Sequence, residues 1–343
     1  MRVLALYLKE FEYKKVNGKS VCVENISSTD KQVISAVQSL GHDVNIMEYD
    51  KSQLRSVKGE FDLILNLCDG LENDNDFQEI SILKNIEKTS MPYTGNSSGV
   101  IASCCNKGVI KRTFLKHGVL TSRFQIVKSV NQKVNLAFPL IVKPSCTDGG
   151  VGISNKSVVY NSVQLKKQLK RCIKENSQPA LVEEFIVGRE FCVPVLGSRV
   201  LPPVEIVFDK NTSRGWPGIL TYDAKWDKSS KAYKGSRVCV RNKISKDFSL
   251  ELLNSIESAA LGAFRAMKCS AYASVDIRVD KNYRVFVIEI NPNCWIGKGS
   301  DFFRSAKSIG ISYPEVMYRI MELSKGMLNI DSVKKNNARI NKN

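Results

Sequence analysis

The stretch YASVDIRVDKNYRVFVIEINPNCW, Tyr272 to Trp295, decides the reading of this chain. It divides into two runs of alternating character around the polar turn Asp280-Lys281-Asn282-Tyr283, which predicts a hairpin whose residues two apart share a face. A two-residue loop at Lys281-Asn282 sets Asp276 opposite Val287 and brings Glu289 onto the same face one pair along. Val275, Ile277 and Val279 then line the other face with Phe286, Ile288 and Ile290, where burial suits them. Acidic groups side by side on the first face repel one another unless a cation joins them. Asn291 follows at the right parity to add a carbonyl oxygen, so Asp276, Glu289 and Asn291 make an all-oxygen set suited to magnesium holding nucleotide phosphates. Taken alone, the hairpin fits a solvated strand face as well, and the stretches around it must decide.

The chain has 343 residues, room for two or three packed subdomains, and its 43% of hydrophobic residues suits a globular protein. No run of about 18 apolar residues suggests a membrane span. The opening MRVLALYLKEFEYKK reads as a first strand rather than a signal peptide, and the expected compartment is cytoplasmic. Ten cysteines are scattered without a CxxC pair, and His42 and His117 stand apart, so neither a zinc site nor a disulfide framework is expected. The formal net charge of +17 invites an anionic partner. The lysines are dispersed, however, and no nucleic-acid motif accompanies them, so anionic nucleotide or substrate is the simpler partner.

Taken in order, residues 2 to 8 read as a strand, Asp30 to Leu40 as a helix, and Val44 to Met47 and Phe61 to Leu67 as further strands. This alternation favours a parallel sheet. An acidic helix, Asp74 to Lys88, and a helical pair, Ser97 to Cys104 and Lys107 to His117, follow. Strands at Arg123 to Val127 and Phe138 to Lys143 enclose a polar segment with helix potential, and the second runs into PSCTDGGVGIS. Gly149, Gly150 and Gly152 let that backbone approach a ligand closely, with Lys143 adding positive charge; the order is not that of a Walker loop. A helix, Ser162 to Glu175, precedes the strand Ala180 to Ile186, whose edge is able to meet a purine while Glu190 accepts from ribose hydroxyls. Strands Arg199 to Phe208 and Gly235 to Val240 and helix Phe248 to Met267 lead into the hairpin. Helices Phe302 to Ile309 and Pro314 to Ser324 come last, before a basic tail, Met327 to Asn343, expected to be mobile.

The pieces Asn106-Lys107 with Lys111, FPLIVKP then DGGVGIS, VEEFIVGREF, LPPVEI, YDAKW, SVDIRVD and EINPN, in this order, resemble the ATP-grasp superfamily, and within it the D-alanine-D-alanine ligase-like carboxylate-amine ligases. The resemblance implies an α/β fold, α+β in its C-terminal half. Its parts would be an N-terminal parallel-sheet domain at 1–96, a central subdomain at 97–187 and a C-terminal subdomain at 188–326, the last two gripping ATP, with the tail at 327–343. It places Lys107 and Lys143 on phosphates, Asp148, Gly149, Gly150 and Gly152 in a lid loop, Glu183, Glu184, Phe185 and Ile186 at adenine, and Glu190 at ribose. Asp276, Glu289 and Asn291 would hold two magnesium ions, with manganese as a substitute.

The implied activity is ADP-forming amide synthesis between amino acids or small peptides through an acyl phosphate. D-alanine-D-alanine ligase proper and a non-catalytic nucleotide-binding protein are the alternatives, and a homodimer is one assembly open to it. Departures from the ligase pattern fall on the substrate side, at Asp30, Cys68-Asp69-Gly70, the lid glycines Gly149 and Gly150, and Lys225-Trp226. The sharpest is Ser274, where those ligases place an oxyanion-steadying arginine. Arg278 and Lys298 are the candidates to restore that charge, although Arg278 equally suits a pair with a neighbouring carboxylate.

Overall fold

Strand β1, Arg2–Tyr7, carries apolar residues on both faces, and each face has its own core. Val3 and Ala5 enter one cluster, Leu4 and Leu6 another. A strand covered on both sides reads as a continuous apolar run, as parallel strands do. This computed structural model describes residues 1–16, 19–68, 78–147, 150–175, 177–209 and 218–326. Asp69, Asp148, Gly149, the 327–343 tail and the Trp226 side chain lie outside the described residues.

After β1 come β2, Glu10–Val16, and β3, Lys19–Asn25, an antiparallel hairpin with Val16 opposite Lys19. The sequence reading passed over it, although Asn17-Gly18 between two alternating runs is a strong hairpin signal. Helix α1, Ser28–Ser39, is capped by Ser27, whose hydroxyl accepts from Asp30 N at 3.0 Å, and buries Val33, Ile34 and Val37. Strand β4, Asp43–Glu48, helix α2, Lys51–Ser56, and strand β5, Leu63–Leu67, complete a sheet in which β1 lies between β4 and β5, parallel to both. The strand-helix-strand alternation thus gives the parallel sheet expected of it.

Helices α3, Gln78–Glu87, α4, Ser98–Cys104, and α5, Lys107–Lys116, lead to an antiparallel sheet of β6, Phe124–Val127, β7, Leu140–Pro144, β8, Val158–Val159, and β9, Ala180–Glu184. Between β6 and β7 the chain makes turns but no helix, contrary to expectation. Helix α6, Ser162–Lys170, covers this sheet and continues as a π-helical turn, Arg171–Glu175.

The largest sheet orders β13, β12, β10, β14 and β15, all antiparallel. Its members are β10, Gly188–Leu196, β11, Arg199–Val200, β12, Val204–Phe208, β13, Ser236–Val240, β14, Tyr272–Asp280, and β15, Val285–Asn291. Arg199 to Phe208 is not one strand, because Pro202 and Pro203 offer no N–H to a ladder. Helices α7, Tyr222–Trp226, α8, Lys231–Lys234, and α9, Leu250–Ala266, are inserted between strands, and α10, Asp301–Ser308, and α11, Tyr313–Ser324, close the chain. Helix α9 packs Leu252, Ile256, Ala260 and Ala263 on Phe191, Val193, Val275 and Ile277. Alternation along β10 and β14 therefore turns Glu190, Cys192, Asp276 and Arg278 to the other face, where the cleft lies. The nine cysteines whose side chains are described are free thiols, and no described helix is long and apolar enough to cross a membrane.

Candidate active site

The hairpin of β14 and β15 departs from the expected register twice. Its loop has three residues, with Asp280 N donating to Arg284 O at 3.1 Å and Tyr283 at φ 60°. That register alone would set Asp276 opposite Ile288 and turn Glu289 into the core. A bulge between Asp276 and Ile277 reverses the effect: Ile277 faces Val287, Asp276 faces Glu289, and Ser274 faces Asn291. Two carboxylates therefore stand directly opposite one another. The core partners change accordingly. Val285, Val287 and Ile290 join Val275, Ile277 and Val279, whereas Ile288 lines the cleft and Phe286 leaves that core.

Lys107, at the first turn of α5, places Nζ 2.6 Å from Glu289 Oε1 and also donates to Thr147 O. Burial pulls the Glu289 carboxyl upward, but Lys107 and Lys143 outweigh it and hold the group below its usual range. Asn291 Oδ1 accepts from Asn293 N at 2.9 Å, which fixes the amide and leaves that oxygen a second lone pair. Among the described residues no group of three or more His, Cys, Asp or Glu could hold a metal ion. What this face offers is two carboxylates and an amide, an all-oxygen set that fits magnesium.

Glu183 on β9 is the hub of a buried charge network. Its Oε2 lies 2.6 Å from Lys111 Nζ and accepts from Ser122 Oγ at 2.5 Å. Lys143 Nζ is 3.0 Å from Oε1, close enough for an ion pair though not aligned for a hydrogen bond. Lys111 also donates to Thr121 Oγ1 at 2.8 Å. Burial raises the Glu183 carboxyl, yet Lys111 and Lys143 overcome this and take it down to about 2. The Glu183 side chain, expected at adenine, instead anchors Lys143, and its backbone is paired with both β6 and β7.

A cleft of about 610 Å³, the size of a small-molecule site, joins these groups. Lys107, Lys143, Gly150, Glu183 to Ile186, Glu190, Lys225, Ser274, Asp276, Arg278, Glu289 and Asn291 all line it. Gly150 has φ 80° and lies against α7, where a Cβ would stand 3.6 Å from Tyr222 N, so this loop and Lys225 share one wall. Gly152, at φ 77°, is not among the lining residues.

Arg278 does not fold back towards the metal face. Its Nε donates to Ile186 O at 2.7 Å, and its two terminal nitrogens reach Glu190 Oε2 at 2.7 Å, Gly188 O at 3.0 Å and Gly218 O at 3.0 Å. The guanidinium also stacks over Phe185, 4.8 Å from the ring centroid. Apart from the bond to Gly218, every contact of this side chain leads to the stretch expected at adenine and ribose. Replacing Arg278 by Leu is therefore expected to raise the KM for ATP about tenfold while changing kcat much less. Steady-state kinetics decides, and a fall in kcat at unchanged KM would return Arg278 to the reacting end.

Lys298 does not supply the missing charge either. Its Nζ sits over the Tyr313 ring, 5.5 Å from the centroid, and its backbone N donates to Gln32 Oε1 at 3.0 Å. Asp30 lies in the first turn of α1, also outside the cleft lining. Sequence reading missed Cys192, Trp295, Asp301 and Arg304, all of which line the cleft. Trp295 Nε1 donates to Thr29 Oγ1 at 3.1 Å, tying α1 to this wall.

Comparison with known proteins agrees with this architecture. A family model described as D-ala D-ala ligase C-terminus matches residues 111–322. Relatives include an uncharacterized protein, y4sG, from Sinorhizobium fredii, 29% identical over 306 residues, 85% of this chain and 86% of that protein. A D-alanine--D-alanine ligase from Methylacidiphilum infernorum is 26% identical over 299 residues, 86% of this chain and 89% of its own. Among solved structures, D-alanine--D-alanine ligase from Bacillus anthracis complexed with ATP superimposes with a TM-score of 0.67 at 20% identity, covering 98% of this chain and 99% of that one. Its likeness shows the fold, which is ATP-grasp. With well over half of its length matched by one model, the chain belongs to the D-ala D-ala ligase C-terminus family.

Proposed function

We propose that this chain is an ATP-dependent, ADP-forming carboxylate-amine ligase that makes an amide bond between amino acids or small peptides. The observation that carries the reading is one cleft holding Lys107 and Lys143 at the same end as the opposed Asp276 and Glu289. The relatives named D-alanine--D-alanine ligase, and the solved relative complexed with ATP, support it. The division into units at 1–96, 97–187 and 188–326 is proposed with it, as is a cytoplasmic location.

In this reading the strand end Glu184 to Ile186 lies along the adenine and Glu190 beside the ribose. Arg278 holds these two stretches together. Lys107 and Lys143 point at the phosphates, where their charge offsets what accumulates on the transferring phosphoryl group. Asp276, Glu289 and Asn291 would hold magnesium, which neutralises phosphate charge when bound; two ions is the proposed number, countable with manganese. A carboxylate oxygen attacks the γ-phosphorus, the bond to ADP breaks, and an acyl phosphate forms. The amine nitrogen then bonds to the acyl carbon, inorganic phosphate leaves, and the nitrogen loses a proton.

Lys143→Met should lower product formation at least about tenfold, equal to roughly 1.4 kcal/mol of transition-state stabilisation. Because Glu183 retains Lys111 as a partner, the variant is expected to fold, and circular dichroism checks that. The function itself is tested by incubating the protein with Mg-ATP and panels of amino acids and dipeptides. Mass spectrometry should find amide product in step with ADP. ATP binding without any product would favour a non-catalytic nucleotide-binding protein.

A further inference from the structure

Beyond the metal face, the cleft ends in a patch of charge that the ligase reading leaves unused. Across the large sheet, Asp276 on β14 neighbours Cys192 on β10, and α10 packs over β10 and β13. Cys192 feels the charges of both Asp276 and Asp301, and all three line the same cleft.

Asp301 opens α10, and a carboxylate in a first helical turn often only complements the helix dipole. Two observations go further. Asp301 is partly buried in the wall of the cleft, and among the described residues no hydrogen bond or ion pair reaches its carboxylate. Burial pushes its carboxyl up, opposed only at a distance by Arg304 and Lys225. Arg304 is at the i+3 spacing where helix side chains meet, yet its Nε donates to Gly299 O at 3.1 Å and the pair is not made. The cleft thus presents an open carboxylate beside an open guanidinium.

We propose that Asp301, with Arg304 beside it, selects an acceptor that carries a second ammonium group and a carboxylate: a short diamino acid. This rests on the ligase reading for the acceptor's part in the reaction. The attacking amine must shed its proton to bond to carbon, so it cannot remain the cation that a desolvated carboxylate requires. The second ammonium meets that requirement at Asp301, and Arg304 takes the substrate carboxylate.

The test uses the full chain loaded with Mg²⁺ and the non-hydrolysable ATP analogue AMP-PNP. Diaminopropionate, ornithine and lysine are titrated calorimetrically against alanine, norvaline and norleucine, their monoamino counterparts, in both enantiomers. At least one diamino acid should bind about tenfold or more tightly than its counterpart, the size of a charge-assisted hydrogen bond. Asp301→Asn should erase the preference and Asp301→Glu should keep it. Both variants should fold, because the cap of α10 is Ser300, whose Oγ accepts from Phe303 N at 3.1 Å. Equal binding of every pair by the wild type, or a preference that survives in Asp301→Asn, overturns the inference.

A parallel assay of product with ATP separates this from the ligase reading. Ligation without diamino preference sinks only the inference. Diamino preference without ligation sinks only the ligase reading.

Discussion

Converting Asp276 to Asn together with Glu289 to Gln lowers ATP-dependent product formation by about a thousandfold or more. Both charges of the metal face are removed, while the side chains stay nearly isosteric and the hairpin ladder is untouched. The double variant also leaves Lys107 without its carboxylate partner, so nucleotide binding should persist through the lysine while magnesium no longer strengthens it. Titration of ATP with and without Mg²⁺, beside a turnover assay, measures both parts. Turnover close to wild type would move the metal site elsewhere in the cleft.

Replacing Glu183 by Gln is expected to cost about 3–5 kcal/mol of stability, the penalty for leaving buried charge uncompensated. Lys111 is 1% exposed and does not line the cleft, so its ammonium has no water to turn to, while Lys143, 6% exposed, would be left with the cleft alone. The pH dependence has a defined sign. The Glu183 carboxyl falls from 4.5 to about 2 in the fold, so its contribution is complete above pH 4.5 and is lost as pH falls through about 2. Urea midpoints measured downward from pH 5 should fall more steeply for the wild type than for Glu183→Gln. Parallel slopes would show that Glu183 is not held as an anion by these lysines.

The opposed carboxylates were legible in the sequence because a period of two survives errors that cancel. The loop is one residue longer than assumed, which flips the face of Glu289, and the bulge flips it back. Phe286, on the loop side of the bulge, and Ile288, the bulged residue itself, were misassigned because the shift is not yet cancelled there. The parallel sheet was legible for a similar reason, since a strand buried on both sides cannot hide its composition. The β2–β3 hairpin carried a readable turn signal that went unused.

Arg278 shows where local pattern stops. Strand parity put its Cα on the correct face, but the direction of a long side chain is set by its partners. Those are carbonyls at Ile186, Gly188 and Gly218, all distant in sequence. Glu183 was misread for the same reason, because Lys111 and Lys143 come from α5 and β7. Asp301 lay in a stretch read only as the start of a helix, and nothing in that stretch announces that α10 begins in the cleft wall.

Transfer of oxygen tests the central claim most directly. An amino acid that supports product formation, labelled with ¹⁸O in its carboxyl group, is ligated in unlabelled water and the released phosphate is analysed by mass spectrometry. An acyl phosphate intermediate predicts one labelled oxygen in each phosphate, with ADP and amide formed in equal amounts. Amide formed with unlabelled phosphate, or ADP released without any amide, would contradict the account.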